Sequence, residues 1–201
     1  KLITFITLLL LGTSSWAVGT QKIAGYISES EGMAFAFNNL GQKRKLAAKT
    51  PVYEGETLIT GKSANSSVLF ADGTLVELKP KTQFRVEEFK YGKEEEKPSA
   101  VFRMLKGGFR FISGLVNKNG GNLSFKTPTA TIGIRGSAGE ISEDTIIVFT
   151  GNFDVAPKGS TLKKNFMRLG PGDEYYSIDG KGRMRNAKAY TKSELEAELA
   201  N

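Results

Sequence analysis

The sequence predicts an all-β fold: short strands and hairpins with glycine corners, arranged as a β-sandwich, roll or solenoid-like stack and followed by a short C-terminal helix. Three observations predict it. From Gly25 to about Arg185 one phrase recurs, a short apolar or β-branched run, a glycine-containing corner and a second short run. Glycine makes up 23 of the 201 residues, about 11% against a usual ~7%, so many tight corners are expected. Apolar residues often occupy both parities of a run, which predicts strands covered on both faces.

At the N-terminus, Lys1 precedes the apolar run Leu2–Leu11, about ten residues against the ~20 that a membrane-spanning helix needs. Ser15-Trp16-Ala17 places small residues at the −3 and −1 positions of a signal peptidase site. Residues 1–17 therefore read as a secretory signal cut after Ala17; a retained N-terminal anchor is the alternative. Residues 18–188 read as the all-β domain. The clearest hairpin is Ser67–Ala71, Asp72-Gly73 and Thr74–Leu78, because Asp-Gly suits a two-residue type I′ turn. That register places Leu69 with Val76 on one face and Phe70 with Leu75 on the other. Looser copies follow: Val101–Leu105 with Phe109–Ile112 across Gly107-Gly108, Ile146–Phe149 with Phe153–Val155 across Gly151-Asn152, and Met167–Leu169 with Tyr175–Ile178 across Gly170-Pro171-Gly172. Pro80 and Pro98 belong in connections or on edges. Tyr91–Ser99 and Asn117–Asn122 read as loops. Thr191-Lys192-Ser193-Glu194 matches a capping box, so residues 189–201 read as a short helix or tail.

Composition removes whole classes of chemistry. Histidine and cysteine are both absent, so no Ser-His-Asp or Cys-His nucleophile exists, zinc, haem and iron–sulfur sites lose their usual ligands, and neither a disulfide nor a cysteine-linked lipid can form. The net charge of +7 falls to +6 on loss of Lys1 and is scattered: the densest basic run is Lys43-Arg44-Lys45, and Glu94-Glu95-Glu96 opposes it. A nucleic-acid footprint would need a contiguous basic stripe with stacking aromatics, so none is expected. Gly55 and Gly61-Lys62-Ser63 miss the phosphate-loop spacing by one residue, and a strand rather than a helix should follow. Asp179–Gly182 lacks the alternating oxygen ligands of a calcium loop. The neighbours Glu87-Glu88 and Glu143-Asp144 point to opposite faces of a strand and cannot converge as a glycosidase pair without a bend. No metal, cofactor or catalytic residue is therefore assigned. Phe35, Phe37, Phe84, Phe102, Phe109, Phe111, Phe149, Phe153, Tyr175 and Tyr176 read mostly as core; any that face outward would form a sugar or partner platform.

Several ordered motifs resemble a known family. Thr127-Pro128-Thr129-Ala130-Thr131-Ile132-Gly133-Ile134-Arg135-Gly136-Ser137 resembles the FecR-domain signature "TP-x-A-x-x-G-(V/I)-R-G-T". Gly25-Tyr26-Ile27 with Gly32 resembles the opening strand pair, Pro51–Gly61 the "V-x-x-G-D-x-L-x-T-G" element, Val68–Thr74 the "L-x-F-x-D-G-S/T" hairpin, and Leu105–Arg110 the "L-x-x-G-x-x-R" element. Glu56 and Ser137 stand where Asp and Thr are commoner. The likeness covers roughly residues 25–155. It implies an exported, non-catalytic all-β domain. Signalling members of the family add a cytoplasmic anti-sigma segment and a membrane helix, and contact an outer-membrane transporter. With a signal directly before the domain, the expectation here is a stand-alone periplasmic or secreted member without that segment.

The residues singled out as family motif and possible partner contact are Asp72, Gly73, Thr131, Gly133, Arg135 and Gly136. Asp72-Gly73 reads first as turn chemistry, with the carboxylate accepting local backbone donors. Gly133, Gly136 and Gly139 permit close backbone approach around Arg135. The Arg135 fork either satisfies carbonyls or a carboxylate left open by the corners, or faces an acidic partner. On the first reading, Arg135→Ala costs stability more than binding. The functional expectation is a binding or scaffold module that contacts another envelope protein by a strand edge or loop. The alternative is a cell-wall or polysaccharide-binding module; a carboxylate hydrolase ranks third.

Overall fold

The computed structural model describes residues 22–158, 162 and 166–176. The signal segment, the C-terminal helix of residues 189–201 and the end of the last strand pair at Ile178 lie outside them. The described residues form an all-β structure whose one short helical piece is a 3-10 turn at Val116–Asn119. That turn occupies part of what the sequence reads as the Asn117–Asn122 loop.

Among the described residues fifteen strands share one sheet. They are β1 (Ile23–Glu31), β2 (Ala34–Phe37), β3 (Lys43–Lys45), β4 (Pro51–Tyr53), β5 (Thr57–Thr60), β6 (Asn65–Phe70), β7 (Leu75–Leu78), β8 (Gln83–Lys90), β9 (Ser99–Lys106), β10 (Gly108–Ile112), β11 (Asn122–Lys126), β12 (Ala130–Ser142), β13 (Thr145–Pro157), β14 (Met167–Leu169) and β15 (Glu174–Tyr176). The spatial order is β3-β2-β5-β8-β9-β11-β12-β10-β7-β6-β1-β4, with β13 beside β12 and carrying β14 and β15. Among the described residues every pairing is antiparallel except β9 with β11.

The sheet curls until its two end strands meet. Arg44 on β3 donates through Nη2 to the Pro51 carbonyl of β4 at 2.6 Å, and through Nε and Nη2 to Glu56 at 3.0 and 2.5 Å. Glu56 is buried and also accepts the Tyr53 N–H at 3.0 Å. Inside the curl sits a phenylalanine core. Phe102 lies 4.6 Å from Phe70 and 5.5 Å from Phe125 between ring centroids, and Phe125 lies 4.8 Å from Phe109 and 4.7 Å from Phe111. Such tilted pairs add specific geometry to the area they remove from water.

Several pairings depart from the sequence expectations. The expectation of two covered faces fails over β6, whose residues alternate between buried and accessible: Val68 and Phe70 are buried, and Leu69 is 48% exposed. The β6–β7 turn has a three-residue loop, because Phe70 N–H donates to Thr74 O and Gly73 N–H to Phe70 O. Only Gly73 in it has a positive φ, of 84°, which is the geometry of a type I turn closed by a glycine bulge rather than a type I′ turn. The extra loop residue shifts the register by one, so Val68 faces Val76 and Leu69 faces Leu75. Leu69 and Leu75 then continue, with Tyr26 and Ile112, a solvent-facing apolar row across β1, β6, β7 and β10.

The β6–β7 hairpin forms, whereas the three other expected hairpins do not. β9 and β10 do not pair: β9 lies between β8 and β11, while β10 lies between β12 and β7. Gly107-Gly108 is thus a crossing from one part of the curl to another. Ile146–Phe149 and Phe153–Val155 are halves of one bent strand, β13. β14 and β15 lie end to end along β13, pairing with Phe153–Val155 and Thr145–Ile147 respectively.

Candidate functional site

The motif Thr127–Ser137 supplies β12 and its lead-in. Thr127 Oγ1 accepts the N–H groups of Thr129 and Ala130 at 3.2 and 3.0 Å, and Thr129 Oγ1 donates to the Glu143 carbonyl at 3.0 Å. This side-chain capping fixes the phase in which β12 begins. Ala130, Ile132 and Ile134 then point to the core, and Thr131, Gly133 and Arg135 point outward.

The outward phase ends at a bulge. The pairing of β12 with β13 shifts between Arg135 and Ala138, opposite Gly136 (φ 62°) and Gly151 (φ 75°), conformations that favour glycine. Ser137 bridges the gap: its Oγ donates to the Asn152 carbonyl and accepts the Asn152 N–H, both at 3.0 Å. Ser113 Oγ accepts the Ser137 N–H at 2.8 Å.

Two recesses flank Gly133 on this outer face. The first is a groove of about 550 Å³ whose lining includes Asn117, Lys118, Asn122, Arg135, Asp154 and Leu162. Asp154, on the neighbouring strand, is buried and organises it. Its Oδ2 accepts Arg135 Nε at 2.9 Å and Arg168 Nη2 at 3.1 Å, and its Oδ1 accepts Arg168 Nε at 2.7 Å. The hydrogen bond from Arg168, aided by that from Arg135, outweighs burial and holds the Asp154 carboxyl below its ordinary value. The Arg135 side chain is 69% exposed. Its Nη atoms have no partner among the described residues. Asn117 Nδ2 is buried at the groove and also lacks a hydrogen-bond partner, while Asn117 Oδ1 accepts the Leu123 N–H at 3.1 Å.

The second recess, about 300 Å³, is lined by Arg103, Lys126, Thr127, Pro128, Ala130, Thr131 and Lys158. Glu87 sits beside it at a bulge in β8, accepting Lys126 Nζ at 2.7 Å and an ion pair from Arg103 Nε. Burial alone would raise the Glu87 carboxyl, but these two cations hold it below its ordinary value. Each recess therefore repeats one device: a carboxylate fixes two cations and leaves a net positive charge, with a further lysine, Lys118 or Lys158, nearby.

The structure brings Thr131, Gly133, Arg135 and Gly136 together along β12 and places Asp72 and Gly73 elsewhere. Asp72 is buried, accepting the Thr74 N–H at 3.0 Å, the Thr74 hydroxyl at 2.7 Å and the Val116 N–H at 3.3 Å. Thr74 Oγ1 accepts the Gly114 N–H at 2.9 Å. The hairpin thus holds the 113–116 loop, and Ser113 in turn supports Ser137 at the bulge. The sequence reading passes over Asp154, Arg168, Arg103, Lys126 and Lys158, and meets Glu87 only as a neighbour of Glu88 and Asn117 only as a loop residue. An acid isolated in the apolar run Phe153–Ala156 was the one visible hint. Among the described residues no group of three or more acidic side chains is placed to hold a metal.

Residues 56–152 match the FecR protein family. Two crystal structures of a candidate anti-sigma factor from Parabacteroides distasonis, at 2.50 and 1.65 Å, share the fold, with TM-scores of 0.55 and 0.54 at 19% identity. The match covers 71% of this chain and 63% and 64% of theirs, so the chain spans under two thirds of those proteins' length. No curated protein sequence matches it.

Proposed function

We propose, for a chain that carries a FecR domain at residues 56–152, a non-catalytic regulatory module of the cell envelope that docks an acidic surface of another envelope protein on the outer face of β12. The observation that carries this reading is the pair of recesses in which Asp154 and Glu87 each fix two cations and leave a surplus of positive charge facing solvent. Positive potential of this kind steers an acidic partner and fixes its register more than it adds raw affinity. The FecR family and the anti-sigma fold likeness support a regulatory role, and the apolar run with its Ser15-Trp16-Ala17 end supports export. A face is proposed in place of the end strands β3 and β4 because Arg44 bridges those two to each other, whereas the surplus charge faces solvent beside β12. The polysaccharide alternative would gain from stacking rings, and among the described residues neither recess has an aromatic side chain in its lining.

The test is site-specific photo-crosslinking in intact cells, with the crosslinker at Thr131, at Asn122 and, as a control across the sheet, at Ser67. One envelope protein captured from Thr131 and Asn122, not from Ser67, and lost on Arg135→Glu is the expected result. Recovery of peptidoglycan or polysaccharide alone would overturn the reading.

A further inference from the structure

The two recesses stand in a fixed relation to each other. Thr131 and Arg135 are four residues apart on one face of one strand, so their recesses are spaced by about 13 Å along β12. Between them lies Gly133, and a Cβ built there would meet Leu162 Cδ1 at 3.0 Å, so Leu162 forms an apolar saddle over the middle of the track. Both edges of β12 are taken, by β11 and β10 on one side and β13 on the other, so a ligand lies over the face and does not extend the sheet.

Among the described residues, the charged groups left without an ion-pair partner along this track are all cationic donors. Arg135 keeps its Nη groups, Asn117 keeps a buried unpartnered Nδ2, and Lys118 and Lys158 make no ion pair among the described residues. Carboxylates of the protein itself are already occupied by Arg103, Lys126, Arg135 and Arg168. An extended peptide places residues i, i+2 and i+4 on one side at the same 13 Å span.

We infer that the outer face of β12 reads an extended segment of the pattern acid–x–apolar–x–acid, with one carboxylate at Arg135 and Asn117, the apolar side chain on Leu162, and the second carboxylate at Lys126 and Lys158. This rests on the docking reading above and supplies the sequence class that reading leaves open. Each carboxylate forms a charge-assisted bond to one donor already held in place, Arg135 by Asp154 and Lys126 by Glu87, so less side-chain freedom is lost on binding at those two donors.

Fluorescence anisotropy on the purified chain tests it with three labelled heptapeptides: Gly-Glu-Thr-Val-Thr-Glu-Gly, its version with both Glu replaced by Gln, and a version with the Val replaced by Ser. The first should bind, the Gln version at least tenfold more weakly, and the Ser version with an intermediate loss. Arg135→Gln and Lys158→Gln should each weaken the first peptide severalfold, and affinity should fall as salt is raised from 50 to 300 mM. Lys158 makes no ion pair among the described residues, so its variant tests the track even if Arg135→Gln disturbs folding. Equal binding of the Glu and Gln peptides, or binding of polygalacturonate in place of the peptide, would overturn the inference. Crosslinking to a protein partner without peptide discrimination sinks this inference and leaves docking intact; peptide discrimination without a captured partner does the reverse.

Discussion

At Asp72 and Arg135, two charged side chains that the motifs single out together, burial separates the roles. Asp72 is 1% exposed and its carboxylate satisfies three donors, one of them on the distant Val116. Removing it strands buried N–H groups, each costing about 1–3 kcal/mol. Asp72→Ala should therefore lower unfolding free energy by about 2–4 kcal/mol in a urea titration. Arg135 is mostly in water, and Asp154 keeps both bonds from Arg168 when Arg135 is gone. An exposed pair of this sort contributes about 0–1 kcal/mol. Arg135→Ala should leave urea unfolding nearly unchanged and weaken partner capture, the opposite ranking to the one expected from the motif alone. The motif shows that an arginine sits among glycines; only the fold shows that it stands in solvent.

Along the β12–β13 ribbon, the bulge sets the local geometry of the proposed docking face. The shift at Gly136 and Gly151 follows directly on Arg135, the last residue of the outward phase, and Ala138–Ser142 beyond it pair with β10. A Cβ on Gly151 would collide with Ser137 Oγ and come within 2.6 Å of the Gly136 carbonyl, at a φ of 75°. Gly151→Ala should cost about 1–3 kcal/mol in the same titration and should shift the Arg135 and Asp154 amide resonances, because the bulge would have to relax. The element scale is also where legibility stops. Gly73, Gly107, Gly151 and Gly172 were all read as corners, and all four have positive φ. What they join was not readable. A glycine reports local backbone conformation, whereas partner choice depends on contacts far apart in sequence, such as β9 with β11 or β10 with β7. One extra loop residue at Ala71 was enough to exchange the faces assigned to β6 and β7. The site suffered likewise: Arg135 was legible from its motif, but Asp154 is 19 residues away and Glu87 lies three strands across the sheet.

For the molecule as a whole, the all-β class was legible because composition and corner frequency are properties of the entire chain. The curl was not: its ends are bridged by Arg44, and the motif that holds Pro51 and Glu56 does not point to that partner. The same ionic scaffold sets how the protein responds to acid. Glu140 would be raised by burial, but Lys79 and Arg110 hold it below its ordinary value, as other cations do Glu87 and Asp154. A carboxyl that titrates lower when folded binds fewer protons in the native state, so it stabilises the fold above its unfolded pKa and that contribution disappears as pH falls through the folded one. The unfolded values are 4.5 for Glu and 3.8 for Asp. With no histidine and no cysteine, no side chain has an ordinary pKa between about 5 and 8. The thermal midpoint should therefore stay level from about pH 8 to 5 and decline steadily below about 4.5. Asp154→Asn should flatten the lowest part of that decline and leave the part above pH 4 unchanged. A midpoint that instead drifted across pH 6–7 would mean that groups other than these carboxylates govern the fold, and the clamps under the docking face would lose their electrostatic rationale.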